Sequence, residues 1–415
     1  MYNIRNIFGF SLVMINFIAL LIMTQTGELI GDVKGIPVYD QNALLVSGLL
    51  VCSSYIIILF IFYPLLLKVK IPKIRFKYEA IFESRISFIL IVLQILFLIF
   101  NLSNGVNIAG SGNVETSSIF SVFWIFFPID LFFVIYYAFC RNARLFRINL
   151  LIAIISSLVR GRADIFLLVL FFELSKKIKN KNLSVKKLLV VSGITLAVYP
   201  VLLLVKFAFR LYLGETGDQP LDYYLLELMN DGKRDGYFYA FYSGIEHIIG
   251  RLQTVSIVAE IYRLSDLLQN LYYQGGFFPF WLEGLHGIIL DKLLGESRNV
   301  PLGTAFTGIG DFNWQFNVGD WNTNPGFSGW IVLNPLWLGG YLLYTALLCL
   351  LSVVFTKLIG ESDLRDDMLW YSWAFYLMPA WLGVFFLFIY TLGLFFFIKW
   401  IISVIPPIRF LSPKL

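Results

Sequence analysis

The chain is 415 residues long, 58% hydrophobic and only 14% charged, with a formal net charge of +5. Soluble domains run near 45–50% apolar and about 25% charged, so a soluble fold is excluded and an all-α polytopic membrane protein is expected. The small positive charge is unevenly spread along the chain and carries no nucleic-acid meaning.

The first apolar run, Ile7 to Met23, is followed by "TQTGELIGDVKG" and lacks a small-residue cleavage signature, so it reads as a retained anchor. Further runs that could span a membrane of about 30 Å are 43–67, 85–101, 119–139, 188–209, 330–356 and 369–405. The last is too long for one helix and is expected to fold back near Pro379 to Gly383. Cys52 and Cys349 lie within spans and Cys140 at a span end, so no disulfide framework is expected.

Lys and Arg set the orientation. The segments "KVKIPKIRFK" (68–77), "CRNARLFR" (140–147) and "KKIKNKNLSVKK" (176–187) are strongly basic, whereas 25–42 carries Lys34 alone and 102–118 has no basic residue. Placing the basic segments in the cytoplasm puts both termini there as well. The apolar run 148–175 then has two cytoplasmic flanks and must be a hairpin of two short helices turning at "RGRAD" (Arg160–Asp164). Helices of this length fall short of a bilayer, so the turn is expected at the floor of a cavity open to the outside. Ionisable residues at such depth are costly and are usually functional. An Arg–Asp164 ion pair that simply holds the hairpin is the structural alternative.

The resulting layout has about ten spans. An N-terminal bundle covers 1–208, a large external segment 209–329, and C-terminal helices 330–415. Within the external segment, 242–271 shows apolar residues at helical spacing, with His247 and Arg251 neighbours on the other side. The stretch 243–259 is a candidate to re-enter the membrane, and 276–295 reads as an interfacial helix. Residues 310–340 alternate Trp and Phe with Asn and Asp, which suits sugar stacking and a membrane-surface aromatic belt equally well.

No P-loop, dinucleotide fingerprint, G-x-S-x-G, HExxH or CxxC is present, so neither cofactor nor metal is expected. Arginine grips phosphate oxygens bidentately and keeps its charge when desolvated. Arg160 and Arg162, joined by Arg251, would form a pyrophosphate cradle for a phosphorylated lipid bearing sugar.

Taken in order, "RGRAD" between short helices, a basic turn, a helix into a large outer loop, "GRLQT" and "NTNPGFSGWIVLNPLWLGG" resemble the Wzy-type O-antigen polymerases over roughly 150–345. The resemblance implies a GT-C-like membrane glycosyltransferase in the bacterial cytoplasmic membrane. Its donor would be a glycan on undecaprenyl pyrophosphate and its acceptor a lipid-linked repeat unit. Protein partners would be a chain-length regulator and a flippase. Arg160, Arg162 and Arg251 would stabilise the leaving pyrophosphate. Arg210, Arg263 and Arg298 come next as substrate-binding groups, together with Asp311, Trp314 and Trp321. His247 leads the candidates for catalytic base, ahead of Glu246 and Asp311. The related O-antigen ligases, and lipid-linked oligosaccharide flippases, are the rival readings.

Overall fold

The structure, a computed structural model, describes residues 3–72, 74, 76, 79–108, 119–162, 164–180, 190, 193, 197, 199, 201, 203–206, 208, 209, 212, 220–223, 245–294, 299–309 and 323–404. Among these no β-strand occurs, and six helices are long and apolar enough to cross a membrane. In lipid every backbone N–H and C=O needs an internal partner, which a helix supplies within one segment.

Local caps set the helix limits. The first helix, α1 (Ile4–Thr26), begins where the Asn3 side chain accepts the Arg5 N–H (3.1 Å) and ends at Gly27, whose φ of +72° suits glycine. Helix α2 (Gln41–Ile56) starts at Asp40, whose Oδ1 accepts the N–H groups of Asn42 and Ala43. It runs on through a wide π turn (Ile57–Phe62) to Leu66. Next comes α3 (Glu79–Asn104), and then one span broken in two, α4 (Ile119–Phe126) and α5 (Ile129–Phe139). The break falls at Pro128, which lacks the N–H needed to continue the helix.

The expected hairpin is present as α6 (Phe146–Val159) and α7 (Asp164–Lys179). Of 188–209, the described positions are helical. Helix α8 covers 245–252, followed by α9 (Val255–Arg263), α10 (Ser265–Tyr273), α11 (Leu285–Leu294), α12 (Leu302–Thr307) and α13 (Phe327–Leu333). The chain closes with α14 (Leu338–Ile359), α15 (Arg365–Ser372, with a π turn to Leu377) and α16 (Leu382–Val404). The fold-back between α15 and α16 lies where the apolar run 369–405 required it. There Met378 and Pro379 carbonyls accept the N–H groups of Phe327 (2.8 Å) and Gly326 (3.1 Å).

One expectation needs correction. The stretch 242–271 is not one helix but three pieces broken after Leu252 and at Leu264. At the first break the Thr254 N–H donates to Asn16 Oδ1 (2.9 Å), and the Gln253 side chain binds both the hydroxyl and the N–H of Ser256. Asn16 lies midway along α1, so α9 begins inside the bundle, packed on α1, α2 and α13 with nearly every side chain buried.

Charged pins gather at the end expected to be cytoplasmic. The fully buried Asp367 binds Ser175, Lys179 and Arg5, tying α15 to α7 and α1. Lys357 donates to the carbonyls of Leu67 and Val69, and Lys399 to Glu79 and to the Ile359 carbonyl. At the opposite end the loop 27–38 rests on α8. A Cβ on Gly250 would lie 2.8 Å from the Gly31 Cα, a backbone contact that no rotamer change relieves. Gly250→Ala is therefore expected to cost about 1–3 kcal/mol, read as a lower melting temperature in detergent. Gly339→Ala, whose Cβ would meet nothing within 4 Å, serves as the control and should not shift it.

Candidate functional site

The hairpin tip is built by its own backbone. The Arg160, Gly161 and Arg162 N–H groups donate to the carbonyls of Ser156, Leu158 and Ser157, and Gly161 takes a φ of +69°. A side chain is disfavoured there, which explains glycine between two arginines. The turn aims both guanidinium groups at the break in the neighbouring span. There Asp130 sits in the first turn of α5, where the positive end of a helix dipole favours an acid.

Arg160 grips Asp130 with a two-point fork, Nη1 to Oδ2 at 3.0 Å and Nη2 to Oδ1 at 2.7 Å, while its Nε donates to the Ser156 carbonyl at 3.0 Å. Its guanidinium also lies 5.0 Å from the centre of the Phe97 ring, and the residue is only 1% exposed. Arg162 is different. Its Nη1 donates to Asp130 Oδ2 (2.8 Å) and its Nη2 to Asp164 Oδ2 (2.6 Å), and its side chain is 38% exposed. Ser157 Oγ reaches Asp164 Oδ1 at 3.5 Å. Two arginines face two aspartates, so the cluster is formally neutral.

All four charged side chains line a cavity of about 900 Å³. Its lining is mainly apolar and comes from α3 to α7, from the segment 278–301, and from α15 and α16. Aromatic groups such as Phe97, Trp124, Phe133 and Trp381 form much of it. The segment 278–301 adds Glu283, which is 7% exposed. That residue follows a short 3-10 turn (Phe280–Leu282), and its carbonyl packs against Gly383, where a Cβ would come within 3.2 Å.

The other sequence-derived site residues lie elsewhere or outside the described residues. Arg251 pairs with Asp32 (3.1 Å) on the loop after α1 and does not line the cavity. The three-arginine cradle is therefore not assembled; Arg251 staples that loop to α8. Burial raises the Asp32 carboxyl above its ordinary range, and the Arg251 guanidinium opposes that rise. His247 places its ring 6.5 Å from that of Tyr199, and Glu246 pairs with Lys34 at 2.7 Å. Arg263 binds Glu260 (2.8 Å) one turn away and lies over the Tyr39 ring. None of these three lines the cavity. Arg210, Arg298, Asp311, Trp314 and Trp321 fall outside the described residues.

Two lining acids went unweighted as site residues in the sequence. Asp130 had a visible signal: it is the one charge in the apolar run 119–139, two residues after a proline. Glu283 stood among the polar residues of 276–295 with nothing local to single it out. Among the described residues no group of three His, Cys, Asp or Glu side chains could hold a metal ion. Comparison with protein-family models, with curated proteins and with solved structures finds no match.

Proposed function

We propose that the chain is a membrane glycosyltransferase that joins lipid-linked oligosaccharide repeat units. The donor glycan on undecaprenyl pyrophosphate passes to a sugar hydroxyl of the next lipid-linked unit. One observation carries this reading. A half-exposed arginine at a hairpin tip enters a large, mainly apolar cavity inside a helical bundle. That is a fitting environment for an anionic headgroup on a hydrocarbon chain. The resemblance in the order of the motifs supplies the sugar and the carrier, and the GT-C-like architecture with about ten spans belongs to the same proposal. So do a bacterial cytoplasmic membrane, cytoplasmic termini, an outward-facing cavity, and a chain-length regulator and flippase as partners.

The geometry divides the labour between the two arginines. Arg160 is a positioning residue, because its fork and its Nε are taken by Asp130 and Ser156. Arg162 is the substrate-facing group. Because the cluster is neutral, a pyrophosphate must take over Arg162 donors now held by Asp164 and Asp130. The exchange is inexpensive at Asp164, an exposed carboxylate whose ion pair contributes at most about 1 kcal/mol. As the anomeric C–O bond breaks, charge grows on the departing pyrophosphate and the guanidinium stabilises it.

A second reading, a lipid-linked oligosaccharide flippase, draws support from the broken α4–α5 span, since discontinuous helices around a buried charged site are common in transporters. Deleting the gene and running the surface polysaccharide on a gel separates the two. Polymerisation requires the ladder to collapse to a single repeat unit carried outside the membrane. A block in transport leaves the units on the inner leaflet with no exported glycan. Long chains that accumulate on the carrier lipid indicate a ligase and overturn the polymerase.

A further inference from the structure

We propose that the Tyr376 hydroxyl is a second donor to the lipid pyrophosphate, meeting the phosphate that Arg162 meets. This inference rests on the polymerase reading above and adds to its site a residue that sequence spacing did not single out.

One guanidinium is a thin cradle for such a ligand. Two arginines and two aspartates already balance, so a pyrophosphate brings in negative charge that Arg162 alone would have to meet. A neutral hydroxyl adds a hydrogen bond without needing a counter-charge of its own. A phenol suits the task because, with an ordinary pKa of about 10, it keeps its proton at neutral pH.

Tyr376 lines the cavity together with Arg162, Asp130 and Asp164. Its hydroxyl lies within electrostatic reach of all three, Asp164 foremost. Among the described residues that hydroxyl makes no hydrogen bond. Nor is its oxygen sealed into the packing, as the unpartnered hydroxyls of Tyr341 and Tyr344 are. Polar groups in a protein interior nearly always have a partner, so an open, unpartnered hydroxyl beside an arginine points to a ligand. When Arg162 exchanges Asp164 for a phosphate, the phosphate replaces the very carboxylate whose charge acts most strongly on this hydroxyl.

The fold holds the residue in place. Tyr376 belongs to the π turn that ends α15 (Trp373–Leu377), and single π turns are frequent at functional sites. Its carbonyl accepts the Trp381 N–H (2.9 Å) at the fold-back into α16. Its ring packs edge-on to Tyr371, with centroids 6.3 Å apart, and lies 6.1 Å from the Phe388 ring. The phenol is therefore presented by packed rings and a closed turn rather than by a loose loop.

The test uses full-length protein in detergent with Tyr376→Phe, which removes the hydroxyl and keeps the ring. Inorganic pyrophosphate is the first probe, read as the concentration that half-saturates its upward shift of the melting temperature. That midpoint is expected to rise about 10–10²-fold in Tyr376→Phe, the loss that follows removal of a hydrogen bond to a charged group. Without pyrophosphate the variant should melt with wild type, because the lost oxygen has no partner in the protein. The second probe is a lipid extract from the gene-deletion strain, from which chain growth should slow by a similar factor. A Tyr376→Phe midpoint within threefold of wild type, or a wild-type protein that pyrophosphate does not stabilise, overturns the contact. A slowed variant whose pyrophosphate midpoint is unchanged overturns it too, since the hydroxyl would then meet another part of the substrate. A raised midpoint alongside a wild-type protein that builds no chains upholds the contact and overturns the polymerase reading underneath it.

Discussion

Arg162→Ala is expected to yield a folded protein that polymerises about 10²–10³-fold more slowly, the loss that follows removal of one charge-stabilising donor. The fold should survive because little depends on this side chain. Its partner Asp164 is 59% exposed and returns to water, and Asp130 keeps both oxygens on the Arg160 fork. Exposed pairs of this kind contribute about 0–1 kcal/mol, so the melting temperature should stay close to wild type. Arg162→Lys sharpens the test. Lysine keeps the charge but loses the planar fork that meets two phosphate oxygens at once, so an intermediate rate is expected. Ladder density normalised to membrane-extracted protein gives the comparison. A full ladder from Arg162→Ala would remove the substrate-facing role from this residue and leave the cluster as a structural pin.

Much of the architecture was legible because the bilayer constrains sequence so strongly. Long apolar runs could only be helices, and basic flanks on both sides of 148–175 could only mean a hairpin. Pro379 and the glycine near it marked the fold-back in 369–405. What escaped the reading depends on contacts between distant parts of the chain. Apolar spacing alone made 242–271 one helix, yet Asn16, more than 200 residues earlier, captures the Thr254 N–H and opens it. Arg251 looked like a third cradle arginine because nothing near it revealed Asp32 as its partner. The glycine contact between Gly31 and Gly250 that brings those two segments together is equally invisible along the chain. Asp130 is the instructive miss. A lone acid beside a proline in an apolar run is itself a strong signal, but Asp164, two residues from Arg162, supplies a nearer counter-charge and hides the need for a second.

That balance leads to the largest stability effects expected in the molecule, and they should be unequal. Asp130→Asn removes the counter-charge from Arg160, which is 1% exposed. Breaking a buried pair in this way costs about 3–5 kcal/mol, because a desolvated guanidinium is left against the Phe97 ring and a neutral amide. Arg160→Met removes the other partner, but Asp130 keeps Arg162 and a side chain 37% open to the cavity. A cost toward the lower end, about 3 kcal/mol or less, is therefore expected. The double variant Asp130→Asn with Arg160→Met leaves no orphaned charge at this pair, so its cost should fall short of the sum by about 0.5–3 kcal/mol. Thermal unfolding of the detergent-solubilised variants, followed by size-exclusion fluorescence, measures all three. Strictly additive losses would mean that the two residues stabilise the bundle independently and that the fork is not what fixes the hairpin tip. A shortfall with Asp130→Asn the worst single variant would show that Arg160 is held in place by its charge partner. Arg162, beside it, is then free to exchange its own carboxylates for a phosphate.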